Sequence, residues 1–239
     1  MTQIIVALDV GTLRKEEELL DRLKGTITFY KVGLQLFTAH GKRAVDLVQR
    51  YGGKVFLDLK FMDIPQTVAH AVEEAQRLGV DAVSLHLWGG SQMIRAAAQI
   101  RPRPKLWGVT VLTSLQDKDL QLFHPQATVK DVVPGLARMG WECGADGTIC
   151  SGQEVESLRQ SLKSIDMRFI TPGIRPAQSS NQDQKRVMTP GEAARLKINY
   201  IVVGRPITAA PDPLRAAQDI LTEMKLAAPH CLEREAKKS

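Results

Sequence analysis

The chain has 239 residues, 44% hydrophobic, 24% charged and 5% aromatic, with a formal net charge of +6 and a pI near 9.3. These are ordinary values for a globular protein. No run approaches the roughly 20 apolar residues of a membrane span, and Lys and Arg are interleaved with Asp and Glu rather than clustered, which argues against nucleic acid and suits an anionic small molecule.

Taken from the N-terminus, a β-like run at 4–9 precedes a helical pattern at 15–23, and a second run at 26–32 precedes one at 34–50. The alternation continues as 54–60 with 67–78, 82–87 with 91–98, and 106–112 with 129–139. It ends as 147–151 with 153–162, 168–171 with 190–196, and 200–204 with 213–226. Regular βα alternation predicts a parallel sheet with right-handed crossovers. Eight such units in this length predict a closed (β/α)8 TIM barrel over residues 1–227 as a single α/β domain, with a flexible tail at 228–239. A doubly wound open sheet is the alternative, but no Gly-x-Gly-x-x-Gly follows the first run.

The chain opens Met1-Thr2-Gln3-Ile4-Ile5, directly into a strand-like run without a basic leader, which points away from secretion and toward the cytoplasm. Three cysteines without paired spacing fit structural thiols in a reducing compartment. Five scattered histidines and no Cys-x-x-Cys give no metal site.

The third run is the informative one. It reads Leu57-Asp58-Leu59-Lys60-Phe61-Met62-Asp63-Ile64-Pro65-Gln66-Thr67. In a strand, residues i and i+2 share a face, so Asp58 and Lys60 are expected side by side, with Leu57 and Leu59 on the opposite face. Pro65 suits the first turn of the following helix. Charges at the mouth of a buried parallel strand mark either a closing ion pair or a site. Lys31, ending the second run, is expected to join Asp58, Lys60 and Asp63 in an array of alternating sign. Such networks add little net stability, so function is the stronger reason to keep them.

In barrels of this kind chemistry gathers at the C-terminal strand ends. Those ends here collect Asp9, Lys31, Asp58, Lys60, His86, Thr113, Ser151 and the turns at 171–175 and 204–205. His86 reads as a core or supporting group, and Met62, Met93 and Trp107 as packing residues. Thr113 suits either reading a polar heterocycle edge or capping the next element. Gly173 and Gly204-Arg205-Pro206 fit phosphate-binding loops after the last two strands. The polar stretch 172–189 has the length of an active-site lid.

Asp-Leu-Lys-Phe-x-Asp-Ile-Pro-x-Thr at 58–67 closely resembles the signature of the orotidine 5'-monophosphate decarboxylases. The resemblance extends through Ala7-Leu8-Asp9, Lys31-Val32-Gly33, Val111-Leu112-Thr113-Ser114, Thr171-Pro172-Gly173-Ile174-Arg175-Pro176 and Val202-Val203-Gly204-Arg205-Pro206. Met62 stands where His or Asn is more usual.

The resemblance implies a cytoplasmic homodimer that converts orotidine 5'-phosphate to UMP and CO2, the last step of de novo pyrimidine synthesis, with no metal or organic cofactor. By the same resemblance Lys60 donates the proton to pyrimidine C6, Asp58 faces the departing carboxylate, and Lys31 belongs to the charged network. Asp63, Ile64 and Thr67 would reach into the partner subunit's site. Asp9 would contact the ribose, Thr113 the pyrimidine, Arg175 and Gln184 the lid and phosphate region, and Gly204 and Arg205 the phosphate. A magnesium-dependent sugar-phosphate decarboxylase or aldolase sharing Asp-x-Lys-x-x-Asp is the rival; such relatives lack the Ile-Pro-x-Thr continuation. A basic nucleic-acid-binding protein is the rival of a different class.

Overall fold

The eight apolar runs become eight parallel strands that pair in chain order, and the eighth closes on the first. A computed structural model describes residues 1–163, 166–176 and 187–228. The strands are β1 (Gln3–Ala7), β2 (Phe29–Gly33), β3 (Lys54–Phe61), β4 (Ala82–His86), β5 (Lys105–Val109), β6 (Gly147–Ile149), β7 (Phe169–Thr171) and β8 (Tyr200–Val203). The helices are α1 (Leu13–Leu23), α2 (Leu34–His40), α3 (Lys42–Arg50), α4 (Pro65–Arg77), α5 (Gly90–Gln99) and α6 (Asp117–Leu120). They continue as α7 (Val129–Glu142), α8 (Gly152–Ser161), α9 (Pro190–Arg195), α10 (Arg205–Thr208) and α11 (Pro213–Ala227). The expected (β/α)8 barrel is the fold observed.

Local chemistry sets the helix ends. The Thr12 hydroxyl accepts from the Lys15 N–H at the start of α1. Ser151 with Glu154, and Thr189 with Glu192, form capping boxes on α8 and α9. Pro65 opens α4, where its missing N–H costs nothing. The helix expected over 34–50 is instead two helices, because Gly41 takes φ 55° between them. That conformation is open to glycine and strained for most other residues.

The strands bury both faces. Outward residues such as Val32, Leu57, Val83 and Leu106 pack with Leu20, Val45, Val72, Ile94 and Leu158 of the surrounding helices. Inward residues Ile5, Phe29, Phe56, Ala82, Trp107, Ile170 and Val202 fill the barrel. Trp107 is the centrepiece, with ring centroids 4.6 Å from Phe56 and 5.1 Å from Tyr200. This aromatic floor leaves the C-terminal mouth as the open end. Among the described residues no helix is long and apolar enough to cross a membrane. Cys143 and Cys150 are buried and form no disulfide. Cys231 and the tail beyond 228 lie outside the described residues, as do 177–186 of the expected lid.

Candidate active site

Strand register brings the charges together. Ala7 pairs with Lys31, and Gly33 with Asp58, so side chains from β1, β2 and β3 converge above the floor. The Lys31 ammonium donates to Asp9 Oδ1 at 3.0 Å and lies 3.5 Å from Asp58 Oδ2. The Lys60 ammonium donates to Asp58 Oδ1 at 3.0 Å. The result is a row of alternating sign, Asp9, Lys31, Asp58, Lys60. Asp58 and Lys60 share the inner face as expected, while Leu57 and Leu59 face the helices.

The row departs from the expectation in its fourth member. Asp63 is exposed, and its carboxylate accepts from the neighbouring Ile64 N–H at 2.7 Å. It makes no ion pair with a described residue of its own chain; Asp9 takes that place. Both strands pair with β2 and each acid lies two residues past its strand, but the Asp63 carboxylate turns back to its own loop while that of Asp9 reaches Lys31.

A bulge aims Lys60. Pairing of β3 with β4 runs Leu57 to Val83 and then jumps to Phe61 with Leu85. The extra β3 residues include Lys60 at φ 54°, a left-handed conformation rare outside glycine and costing on the order of 1–3 kcal/mol. Ser84 Oγ accepts the Lys60 backbone N–H at 2.8 Å. A hydroxyl has one proton, which Ser84 therefore gives to Asp58 Oδ1, also at 2.8 Å.

Electrostatics follow from this packing. Burial by itself would push the Asp58 carboxyl up, but the Lys31 and Lys60 cations with the Ser84 and Lys60 hydrogen bonds outweigh it, holding the group below its ordinary range. His86, at the end of β4, is pushed down first by burial and then by the Lys60 charge, with Asp58 opposing. Its Nδ1 is buried without a hydrogen-bond partner among the described residues.

Above the floor opens a cavity of about 200 Å³, lined by Lys31, Phe56, Asp58, Lys60, Val109, Val111, Thr113, Ile149, Cys150, Pro172 and Val202. Thr113 reaches it from the connection after β5, four residues beyond the strand. Ser151, expected at a strand end, caps α8 instead. Gly173, at φ 79°, and Arg175 sit at the base of the expected lid. There the Arg175 N–H donates to the Met188 carbonyl at 2.9 Å, and the Met188 N–H to that of Gly173 at 3.3 Å. Gly204 stands beside Asp9: a Cβ there would lie 3.9 Å from Asp9 Oδ2. Arg205 is exposed at the start of α10. Gln184 lies outside the described residues.

Ile64 and Thr67 are exposed at the rim with Asp63. Met62, expected to pack, is exposed as well, whereas Met93 and Trp107 are buried. Among the described residues no cluster of three or more His, Cys, Asp or Glu is placed to hold a metal ion.

Two contributors escape a reading of the sequence for site residues. One is Ser84, a small polar residue within the apolar β4. The other is Gly33, where a Cβ would come within 2.7 Å of the Lys31 ammonium and 3.1 Å of Asp9 Oδ1. A glycine ending a strand beside a charged residue is the only signal for it.

Residues 2–220 match the model of the orotidine 5'-phosphate decarboxylase / HUMPS family. The chain belongs to this family. The orotidine 5'-phosphate decarboxylase of Moorella thermoacetica is 45% identical over 234 residues, 94% of this chain and 92% of the relative. That of Saccharophagus degradans is 45% identical over 226 residues, covering 93% and 94%. The crystal structure of orotidine 5'-phosphate decarboxylase from Lactobacillus acidophilus has a TM-score of 0.81 at 37% identity, over 93% of this chain and 98% of that one. The family match runs from β1 into α11, so it takes in the whole row of charges.

Proposed function

We propose that the chain decarboxylates orotidine 5'-phosphate to UMP and CO2 in de novo pyrimidine synthesis, in the cytoplasm and without a metal or organic cofactor. The observation that carries the proposal is the row Asp9, Lys31, Asp58, Lys60 at the mouth of the barrel, above a closed aromatic floor. Loss of CO2 without an electron sink leaves the bonding pair on C6. The protein must therefore stabilise a carbanion electrostatically as it forms. A cationic Lys60 beside the departing group does this and delivers a proton to C6; solvent then recharges the amine. Asp58, ionised by its two lysines, stands against the substrate carboxylate and is relieved of repulsion as CO2 leaves. Stabilisation of the transition state is weighted above that relief.

The remaining contacts follow the resemblance. Thr113 reads the pyrimidine edge and Asp9 the ribose, while Arg175, Gln184, Gly204 and Arg205 hold the phosphate and lid. Phosphate binding far from C6 supplies the energy that orders the site. The magnesium-dependent rival needs carboxylate oxygens for a cation. Both Asp58 oxygens already face ammonium groups, which favours the metal-free reaction.

The active unit in this proposal is a homodimer in which Asp63, Ile64 and Thr67 enter the partner's site. In support, large apolar side chains stand exposed in the connections after β2, β3, β4 and β5: Leu34, Met62, Ile64, Trp88, Leu122 and Phe123, the last 90% exposed. Large apolar side chains exposed at one end of a barrel suit an interaction surface. The test is a spectrophotometric assay on orotidine 5'-phosphate with and without chelator. Equal turnover in both arms is expected; no turnover, or turnover lost to the chelator, refutes the proposal.

A further inference from the structure

Resting on the decarboxylase reading, we propose that Ser84 is a positioning residue for the reaction: its hydroxyl, shared between the Lys60 backbone and the Asp58 carboxylate, sets where the Lys60 ammonium stands. Ser84 is fully buried on the inner face of β4. It lies between Val83 and Leu85, the two residues across which the β3–β4 ladder skips. In a regular ladder the Lys60 N–H would find a carbonyl on the neighbouring strand. In the bulge it finds Ser84 Oγ at 2.8 Å instead.

The same oxygen donates its proton to Asp58 Oδ1, the atom that also receives the Lys60 ammonium. One hydroxyl therefore fixes both ends of the Lys60 residue, main chain and side chain, relative to Asp58. No regular strand geometry would hold a lysine at φ 54° without such a tie. Ser84 is 0% exposed and its hydroxyl is engaged by Lys60 and Asp58, so it acts through those two residues.

The test compares wild type, Ser84→Ala and Ser84→Thr. Loss of the hydroxyl is expected to lower kcat about 10- to 100-fold, as small misplacements of reacting groups do. KM should change less than about threefold, because substrate binding is anchored elsewhere. Ser84→Thr keeps the hydroxyl and restores kcat.

A second measurement needs no substrate. Titration of the Asp58 carboxyl by 13C NMR should move upward in Ser84→Ala, since a hydrogen bond to the ionised form is gone. Wild-type kcat with an unmoved Asp58 titration in Ser84→Ala overturns the proposal. So does a drop in melting temperature with kcat per folded enzyme unchanged. Failure of the wild-type chain to turn over orotidine 5'-phosphate defeats the functional reading alone, and the NMR titration then judges Ser84 by itself.

Discussion

Glu16 should make this protein less stable as pH rises through neutrality. It lies on α1 among Leu19, Leu20 and Leu23, where the helix packs against α3 and α11. It is 0% exposed, and neither carboxyl oxygen has a hydrogen-bond partner among the described residues. Burial, with a smaller contribution from Glu17, pushes its pKa from 4.5 up to about 8. Between those values the folded chain holds a proton that the unfolded chain has released. Stability is therefore unaffected below pH 4.5, falls from there to about pH 8, and is flat above.

At about 1.4 kcal/mol per tenfold change in ionisation, the displacement is worth about 4–5 kcal/mol. Local relaxation and water entry leave roughly half of that. Glu16→Leu removes the carboxyl while keeping side-chain volume and helix propensity. Its advantage over wild type should be small at pH 4.5 and reach about 2 kcal/mol at pH 8, or roughly 4–8 °C in melting temperature. Glu16→Gln, which loses the charge but keeps an unpaired amide, should fall between the two. Circular dichroism followed through urea and thermal denaturation across this pH range measures the gap. A gap of constant size at every pH, or a Leu variant weaker than wild type at pH 8, would refute the reasoning.

Gly33→Ala should separate activity from stability. Its backbone φ of −100° accepts alanine, so melting should move by less than about 1 kcal/mol equivalent. The new methyl, however, falls 2.7 Å from the Lys31 ammonium and should cut kcat/KM about 10- to 100-fold; steady-state kinetics beside a melting curve decides. On the proposed shared-site dimer, Lys60→Ala and Asp63→Ala should each be nearly inactive as pure proteins, yet an exchanged mixture should regain about a quarter of wild-type turnover, since half the dimers would be hybrid with one intact site each. No recovery despite exchange shown by mass spectrometry would count against a shared site.

The barrel was legible because its signal is repeated eight times: each apolar run is too short for a helix, and each amphipathic stretch too long for a strand. Gly41 was not, since one glycine inside a helical pattern is tolerable and only its φ of 55° reveals the break. The pairing of Asp58 with Lys60 follows from the period of a strand. The bulge does not, because Asp-Leu-Lys alternates identically with or without it, and nothing in a lysine announces a left-handed backbone. The choice of Asp9 over Asp63 as neighbour of Lys31 depends on where the loops beyond β1 and β3 carry each carboxylate, since β2 pairs with both strands. Asp63 is three residues from Lys60 in sequence, whereas Asp9 reaches Lys31 only through the β1–β2 pairing. Ser84 hides for a similar reason, as its partners are 24 and 26 residues away.

The geometry also divides labour between the two lysines in the proposed reaction. Both are cations beside Asp58, so charge alone does not say which one gives up a proton. Lys31 lies between two carboxylates, at 3.0 and 3.5 Å, with its side chain 11% exposed. A proton leaving it would take the shared counter-ion from both Asp9 and the buried Asp58. Lys60 touches one carboxylate, its side chain is 29% exposed, and it sits on the bulge at the edge of the cavity. When Lys60 gives up its proton, Asp58 keeps Lys31, and the row is left with one cation between two anions. That state is tolerable because the charge of the substrate carboxylate passes to C6 as neutral CO2 leaves, and the Lys60 proton quenches it there. Proton delivery by Lys60 is thereby tied to departure of CO2, and Lys31 remains the fixed charge that keeps Asp58 ionised throughout.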